Sequence, residues 1–385
     1  MPSASRLADI APFHVMELLG RAKQLEAEGR DIIHMEVGEP DFPTPAPIVD
    51  AAQRAIAGGR VFYTPALGLP ELRAAIARFY AERYGVAVPA ERIAVTAGAS
   101  GALTLALACL VEPGSEWLLA DPGYPCNRHF VRAFEGRPVG MPVDAASNFQ
   151  PTVAHLERHW NERTAGALLA SPANPTGTML SAAEIDALAR CVRARGGQLI
   201  VDEIYHGLTY DGDAPTALAA GDDVFVVQSF SKYFQMTGWR LGWLVVPERH
   251  VRDVEKLAQN LFISPSTPAQ HAALAAFAPE TITILEARRD EFRRRRDFLA
   301  PALERIGFRL AARPQGAFYL YADCGALSDD SEALAHRLLE EAGVAATPGL
   351  DFGDNAPKRH LRFAYTTDVD RLAEAVRRIE RLLAG

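Results

Sequence analysis

The sequence predicts an α/β fold: a mostly parallel, seven-stranded sheet covered by helices on both faces, with a smaller α+β domain beside it. Three observations carry this. Seven short runs between residues 92 and 246 are apolar and β-branched, as strands buried on both faces are. Helical patterns separate some of them, which makes the strands largely parallel. From about residue 282 the pattern changes to a long charged helix, short strands and two further helices.

In chain order, an amphipathic helix at 15–28 opens the sequence and is expected to pack on the smaller domain. Strands at 92–96 and 116–120 enclose a helix at 102–110, and a helix at 126–135 leads to a strand at 138–142. Strands follow at 166–170, 198–202, 224–228 and 241–246, with a helix at 182–195. The remainder reads as a helix at 282–306, strands near 308–311 and 317–321, and a helix at 332–342. Strands near 344–347 and 360–364 and a final helix at 369–383 complete it. The expected division is a large domain at 46–281 and a small one formed by both chain ends, 1–45 and 282–385.

Composition narrows the function. The 385 residues suffice for two domains or one large α/β domain with appendages, and are 49% hydrophobic and 23% charged, as in an ordinary globular protein. A net charge of -8 argues against nucleic acid, which needs a concentrated basic surface. The arginines at 288, 289 and 293–296 are interrupted by acids at helical spacing and read as a solvated helix face. Cys109, Cys126, Cys191 and Cys324 are too scattered for a zinc site or a disulfide framework, so no metal is expected. The first ten residues lack the pattern of a signal peptide, and no stretch approaches the roughly 20 apolar residues of a membrane helix. A cytoplasmic location is the expectation.

The most informative stretch is SFSKYFQMTGWRLG at 229–242. Lys232 follows a strand at its carboxyl end, where open α/β sheets build their sites. An ammonium is costly to bury alone. The position makes sense if the amine forms a Schiff base with a carbonyl cofactor whose phosphate is held by Ser229, Ser231 and Arg240. The other reading is a surface lysine in a serine-rich turn.

Pyridoxal phosphate would need further partners, and the chain offers one for each. The turn AGASG at 97–101 has residues small enough for backbone N–H groups to approach a phosphate, with Ala99 and Ser100 at a helix start. It also suits an ordinary strand-to-helix turn. Asp202 ends a strand, and is either a helix cap or the partner that keeps the pyridine nitrogen protonated. Asn174, in NPTG at 174–177, and Tyr205 are candidate donors to the ring oxygen. Tyr124, in DPGYP at 121–125, is a candidate to stack on the ring. Arg362 interrupts an apolar strand and needs an anion: an internal carboxylate, or the α-carboxylate of an amino acid.

Taken in order, these motifs resemble the class I/II, fold type I, pyridoxal-phosphate-dependent aminotransferases, from GEPDF at 38–42 to Arg362. The resemblance implies that Lys232 forms the internal aldimine and moves the proton at the α-carbon. It implies that Asp202 holds the ring nitrogen, Asn174 and Tyr205 the ring oxygen, and that Tyr124 stacks. Ala99, Ser100, Ser229, Ser231 (a weaker match) and Arg240 would bind the phosphate. Gly38, Asn174 and Arg362 would bind the substrate, with the loop PGLDFG at 348–353 near the clamp. Tyr63 matches a tyrosine that reaches the partner's phosphate, implying a homodimer with shared active sites. An amino acid and a 2-oxo acid would react in ping-pong order.

Ser100 stands where some aspartate-specific members carry a lysine, and residues 261–265 offer no cation, so a neutral donor is expected. The loop with Arg128 and His129 is the other source of a charge. A β-elimination lyase of the cysteine-S-conjugate type on the same scaffold is the alternative. A DNA-binding fusion would need a winged-helix segment before residue 13, and is not expected.

Overall fold

In the computed structural model, which describes residues 3–12 and 14–384, the seven strands form one sheet. They are β1 (Ile93–Thr96), β2 (Glu116–Asp121), β3 (Arg137–Pro142), β4 (Thr164–Ala170), β5 (Gln198–Asp202), β6 (Val224–Ser229) and β7 (Gly242–Val245). Their order is β1-β7-β6-β5-β4-β2-β3. All pair in parallel except β7, which runs antiparallel to both neighbours.

The unbroken apolar character of the strands has a direct cause. Val224 and Val226 of β6 enter one core while Phe225 and Val227 enter the other. Leu199 and Val201 of β5 likewise oppose Ile200. Side chains alternate across a strand, so a sheet covered on both faces needs apolar residues at every position. The helices Gly98–Leu110 and Val251–Leu261 cover the second face. The helices Ala46–Ala57, Pro70–Tyr84, Val153–His159, Val251–Leu261 and Thr267–Leu274 were not read from the sequence.

The chain ends meet in two small sheets. Tyr319–Asp323, His360–Ala364 and Thr347–Pro348 form an antiparallel sheet with His360–Ala364 in the middle. Ile33–His34 pairs in parallel with Val344–Ala345, and the helix His14–Ala27 packs over this pair. We propose the division 46–281 against 1–45 and 282–385, which this pairing of distant segments supports. Residues 1, 2, 13 and 385 of that second part lie outside the described residues.

Three expectations need correction. The strand near 308–311 is a single bridge between Arg309 and Asp323. Beyond it the chain is drawn away, because Gln315 N and Gly316 N both donate to Gly177 O at 2.9 Å. The strand expected at 344–347 is two short strands in different sheets, separated by Ala346. The arginine cluster is not a solvated face throughout. On the helix Pro279–Arg305, Arg293 and Arg294 are exposed, but Arg295 and Arg296 are buried. Arg295 Nη1 donates to Asp41 Oδ1 at 2.7 Å and its guanidinium lies over Phe42, 5.0 Å from the ring centre. Arg296 Nη1 donates to Pro314 O at 2.9 Å. Arg295 therefore ties the segment 38–42 to the fold and Arg296 the turn at Pro314, which acid spacing alone could not distinguish from a solvated face.

Candidate active site

Parallel pairing sets the carboxyl ends of the central strands side by side, with Ala170 of β4 opposite Asp202 of β5 and Asp202 opposite Val227 of β6. Over these ends lies a cavity of about 270 Å³. Gly38, Ala99, Ser100, Tyr124, Asn174, Asp202, Tyr205, Ser231, Lys232, Arg240 and Arg362, all expected from the sequence, line it together.

Lys232 leaves the turn after β6, partly buried. Its Nζ donates to Gly38 O at 2.6 Å and lies 5.9 Å from the centre of the Phe318 ring. Burial draws its amine down to about 8; the Glu39 and Asp202 carboxylates oppose the shift, and the Arg362 and Arg240 guanidiniums reinforce it. Burial pushes the Asp202 carboxyl up to about 6, while the Ile204 N–H bond at 3.0 Å and Lys232 pull it back. An amine nearer neutrality thus faces a carboxylate with little water around it.

The turn 97–101 is not a loop before a helix but the first turn of the helix Gly98–Leu110, so its N–H groups point at the cavity end. Gly98 has φ +72°, and a Cβ there would lie 2.7 Å from Arg240 Nη2. Gly242 opens β7, where a Cβ would lie 3.0 Å from Ala99 N. Two glycines therefore let the Arg240 guanidinium and the helix start converge. Ser231 is buried and lines the cavity; Ser229 does not line it, and its Oγ lies 2.7 Å from Ser231 Oγ. Ser231, the weaker match by resemblance, is thus the serine at the cavity.

Arg362 is 3% exposed. Nη1 donates to Asn174 Oδ1 at 2.9 Å, and Nη2 to Glu36 O and Thr347 Oγ1. Its plane lies over Tyr319 and Phe352, at 4.3 and 4.9 Å from the ring centres. Its Nε is buried with no hydrogen-bond partner among the described residues. No carboxylate pairs with it there, so the internal salt bridge left open by the sequence is absent and a donor stays unspent.

Sequence reasoning missed Tyr319. Its hydroxyl is 2.8 Å from that of Tyr205, and a Cβ on Gly38 would lie 2.0 Å from it. Tyrosines at 319 and 321 alternate on one strand, a pattern that puts two hydroxyls on one face and was legible. Val15, Met16, Val37 and Leu103 also line the cavity and belong to no motif, while Glu39 and Thr237 line it from within the motifs at 38–42 and 229–242. Arg128 borders a neighbouring cavity instead, where Nη2 donates to Asp351 O at 2.8 Å. Tyr63 is 82% exposed, away from the cavity of its own chain.

The residues fit pyridoxal phosphate: an anion end at Arg240 and the helix start, a shielded acid at Asp202, an amine at Lys232 held by a single backbone carbonyl, and an aromatic face at Tyr124. Among the described residues no group of three or more His, Cys, Asp or Glu side chains could hold a metal ion. No helix there is long and apolar enough to cross a membrane.

Comparison with known proteins agrees with this geometry. The family model described as aminotransferase class I and II matches residues 30–379. The chain is 37% identical to valine–pyruvate aminotransferase of Mycobacterium tuberculosis, over 97% of this chain and 96% of that one. It is 34% identical to aspartate/prephenate aminotransferase of Thermus thermophilus, over 98% of each. The crystal structure of an aminotransferase from Mycobacterium tuberculosis superposes with a TM-score of 0.96 at 38% identity, covering 100% of this chain and 99% of that one.

Proposed function

The chain belongs to the class I and II aminotransferases, and from that premise we propose how its residues carry the reaction and which donors they favour. It is a pyridoxal-phosphate-dependent enzyme that moves the amino group of an amino acid to a 2-oxo acid. The observation that carries the assignment of residues is the convergence of Lys232, Asp202, Arg240 and Arg362 on one cavity. When bound, the cofactor supplies a carbonyl for a lysine amine and a ring that accepts electrons from the substrate's α-carbon.

Lys232 takes the proton from the donor's α-carbon; an amine lowered to about 8 is suited to this near neutral pH. Asp202 holds the ring nitrogen in its charged form. Asn174 and Tyr205 hold the ring oxygen, and burial keeps the Tyr205 hydroxyl protonated and able to donate. Tyr124 stacks on the ring. Ala99, Ser100, Ser229, Ser231 and Arg240 hold the phosphate, with Ser229 acting through Ser231. The unspent Nε of Arg362 supports its role as the α-carboxylate clamp, with Asn174 and Gly38 beside it.

The donor is neutral. Among the described residues the cations lining the cavity are Lys232, Arg240 and Arg362, each with a role above, while Arg128 faces elsewhere. A second carboxylate would be buried without a partner from this chain. The valine–pyruvate relative, by its name, takes such a donor.

The enzyme works as a homodimer. Val61, Phe62, Tyr63, Leu261, Phe262 and Ile263 are exposed, and Thr267 Oγ1, four residues past Ile263, donates to Phe62 O at 2.6 Å. These exposed apolar side chains support a two-fold interface through which Tyr63 serves the partner's phosphate site.

The test is the visible absorbance of the cofactor-loaded protein. Single neutral amino acids should remove the cofactor band, and a 2-oxo acid should restore it. Lys232→Ala should keep cofactor bound yet lose turnover by at least about a thousandfold. Turnover near wild type in that variant, or pyruvate and ammonia from cystathionine without any oxo acid, would overturn the assignment.

A further inference from the structure

We infer that Asp351 is a positioning residue for donor selection. Its buried carboxylate pins the first turn of the helix His14–Ala27, and that turn presents Val15 and Met16 as an apolar wall of the Lys232 cavity. The wall favours branched aliphatic and aromatic donors over alanine. This rests on the transamination reading above.

The first turn of a helix leaves backbone N–H groups without partners, and a carboxylate there satisfies one and opposes the helix dipole. Asp351, 4% exposed, accepts from His14 N at 3.2 Å through Oδ1. Its Oδ2 is buried with no hydrogen-bond partner among the described residues; the charges that offset its burial are the Arg362 guanidinium and the helix start at His14. The next two residues of the helix, Val15 and Met16, line the cavity with Gly38 and Arg362.

The rest of the helix has its own anchorage. Leu18, Ala22 and Leu25 pack with Ile32, Leu339 and Ala345, and Arg21 Nε donates to Glu340 Oε1 at 2.6 Å. Only the first turn depends on Asp351, so loosening it changes the wall without unseating the helix. Asp351 also ends the turn Gly349–Asp351, whose next residue, Phe352, lies against Arg362. The same turn thus sets both the clamp and the side-chain wall. Met16 is unbranched and polarisable, a side chain that adapts to varied apolar shapes. With Val15 and Val37 it gives an extended apolar donor surface to bury and a small one none.

The experiment measures kcat and KM of the cofactor-loaded enzyme for alanine, valine, leucine and phenylalanine with one 2-oxo acid. The variants are Asp351→Ala, Asp351→Asn, Met16→Ala and the pair Asp351→Ala with Met16→Ala. Asp351→Ala should lower the leucine-to-alanine ratio of kcat/KM about tenfold, mainly through KM, as the loss of one cap bond predicts. Asp351→Asn should lower it less, because an amide oxygen still accepts. The double variant should fall no further than the larger single, since both act on one wall. Hydrogen exchange should quicken over residues 14–20 in Asp351→Ala and stay unchanged over 21–27.

An equal loss for every donor, additive effects, or unmoved exchange over the first turn would overturn the inference. A wild-type enzyme that transaminates no donor would overturn the aminotransferase reading instead, and the exchange measurement would still decide whether Asp351 pins the helix. If Asp351→Ala does not fold, Asp351→Asn and Met16→Ala carry the test through the donor ratio.

Discussion

Asp202 shows how burial at a strand end becomes chemistry. Its folded carboxyl sits at about 6, against an ordinary value of 3.8, because desolvation outweighs the Ile204 N–H and Lys232. In the cofactor-free protein the folded state therefore holds more protons than the unfolded state across that window, and stability falls as pH rises through it. Lys232 has the opposite sense: drawn from 10.5 to about 8, it makes stability rise with pH between those values. Comparing cofactor-free wild type with Asp202→Asn isolates the first effect. The wild-type-minus-variant difference in unfolding free energy should fall by on the order of 2 kcal/mol from pH 4 to pH 6, read from urea midpoints. A flat difference would mean that this carboxyl is solvated in the cofactor-free state.

At the scale of an element, the helix Pro279–Arg305 is more than the connection between domains. Arg295 pairs with Asp41 and Glu291, at 2.7 and 3.1 Å, and lies over Phe42 and Phe292. Arg288 Nη1 donates to Pro43 O at 2.7 Å in the same segment. That segment carries Gly38, whose carbonyl holds Lys232 Nζ and whose missing side chain leaves room for the Tyr319 hydroxyl. Arg295→Ala leaves a partly buried Asp41 without its partner and removes two ring contacts. It should destabilise the protein by about 3 kcal/mol, measured by chemical denaturation. It should also lower kcat/KM by loosening residues 38–42. A change within about 0.5 kcal/mol, as for a surface pair, would restore the solvated-face reading.

For the molecule as a whole, one chain supplies a cavity and exposed apolar residues that it does not itself cover. Phe62 is 81% exposed and Tyr63 82%. On the dimer proposal, Phe62→Asp should shift the protein toward monomer in sedimentation and weaken cofactor retention, because the partner's Tyr63 would leave the phosphate site. Tyr63→Phe should keep the dimer but release the cofactor about tenfold more readily, the loss of one hydrogen bond to a charged group. A wild-type monomer that retains its cofactor would remove the shared-site proposal.

The sequence by itself determined the sheet and the chemistry near its strand ends. Strands buried on both faces must be apolar throughout, so β5 and β6 declared themselves, and with them the positions of Asp202 and Lys232. Short motifs with unusual residue types, a lysine between serines or an arginine in an apolar strand, stand out because they are costly unless used. What the tertiary structure alone decided was which polar groups were satisfied and by what. Arg295 and Arg296 turned inward because Asp41, Phe42 and Pro314 O, remote in sequence, were there to receive them. Tyr319 entered the site because Gly38 left it space, and Asp351 met His14 N across 337 positions of chain. Burial and long-range pairing have no local sequence period, so they emerge only when distant segments pack together.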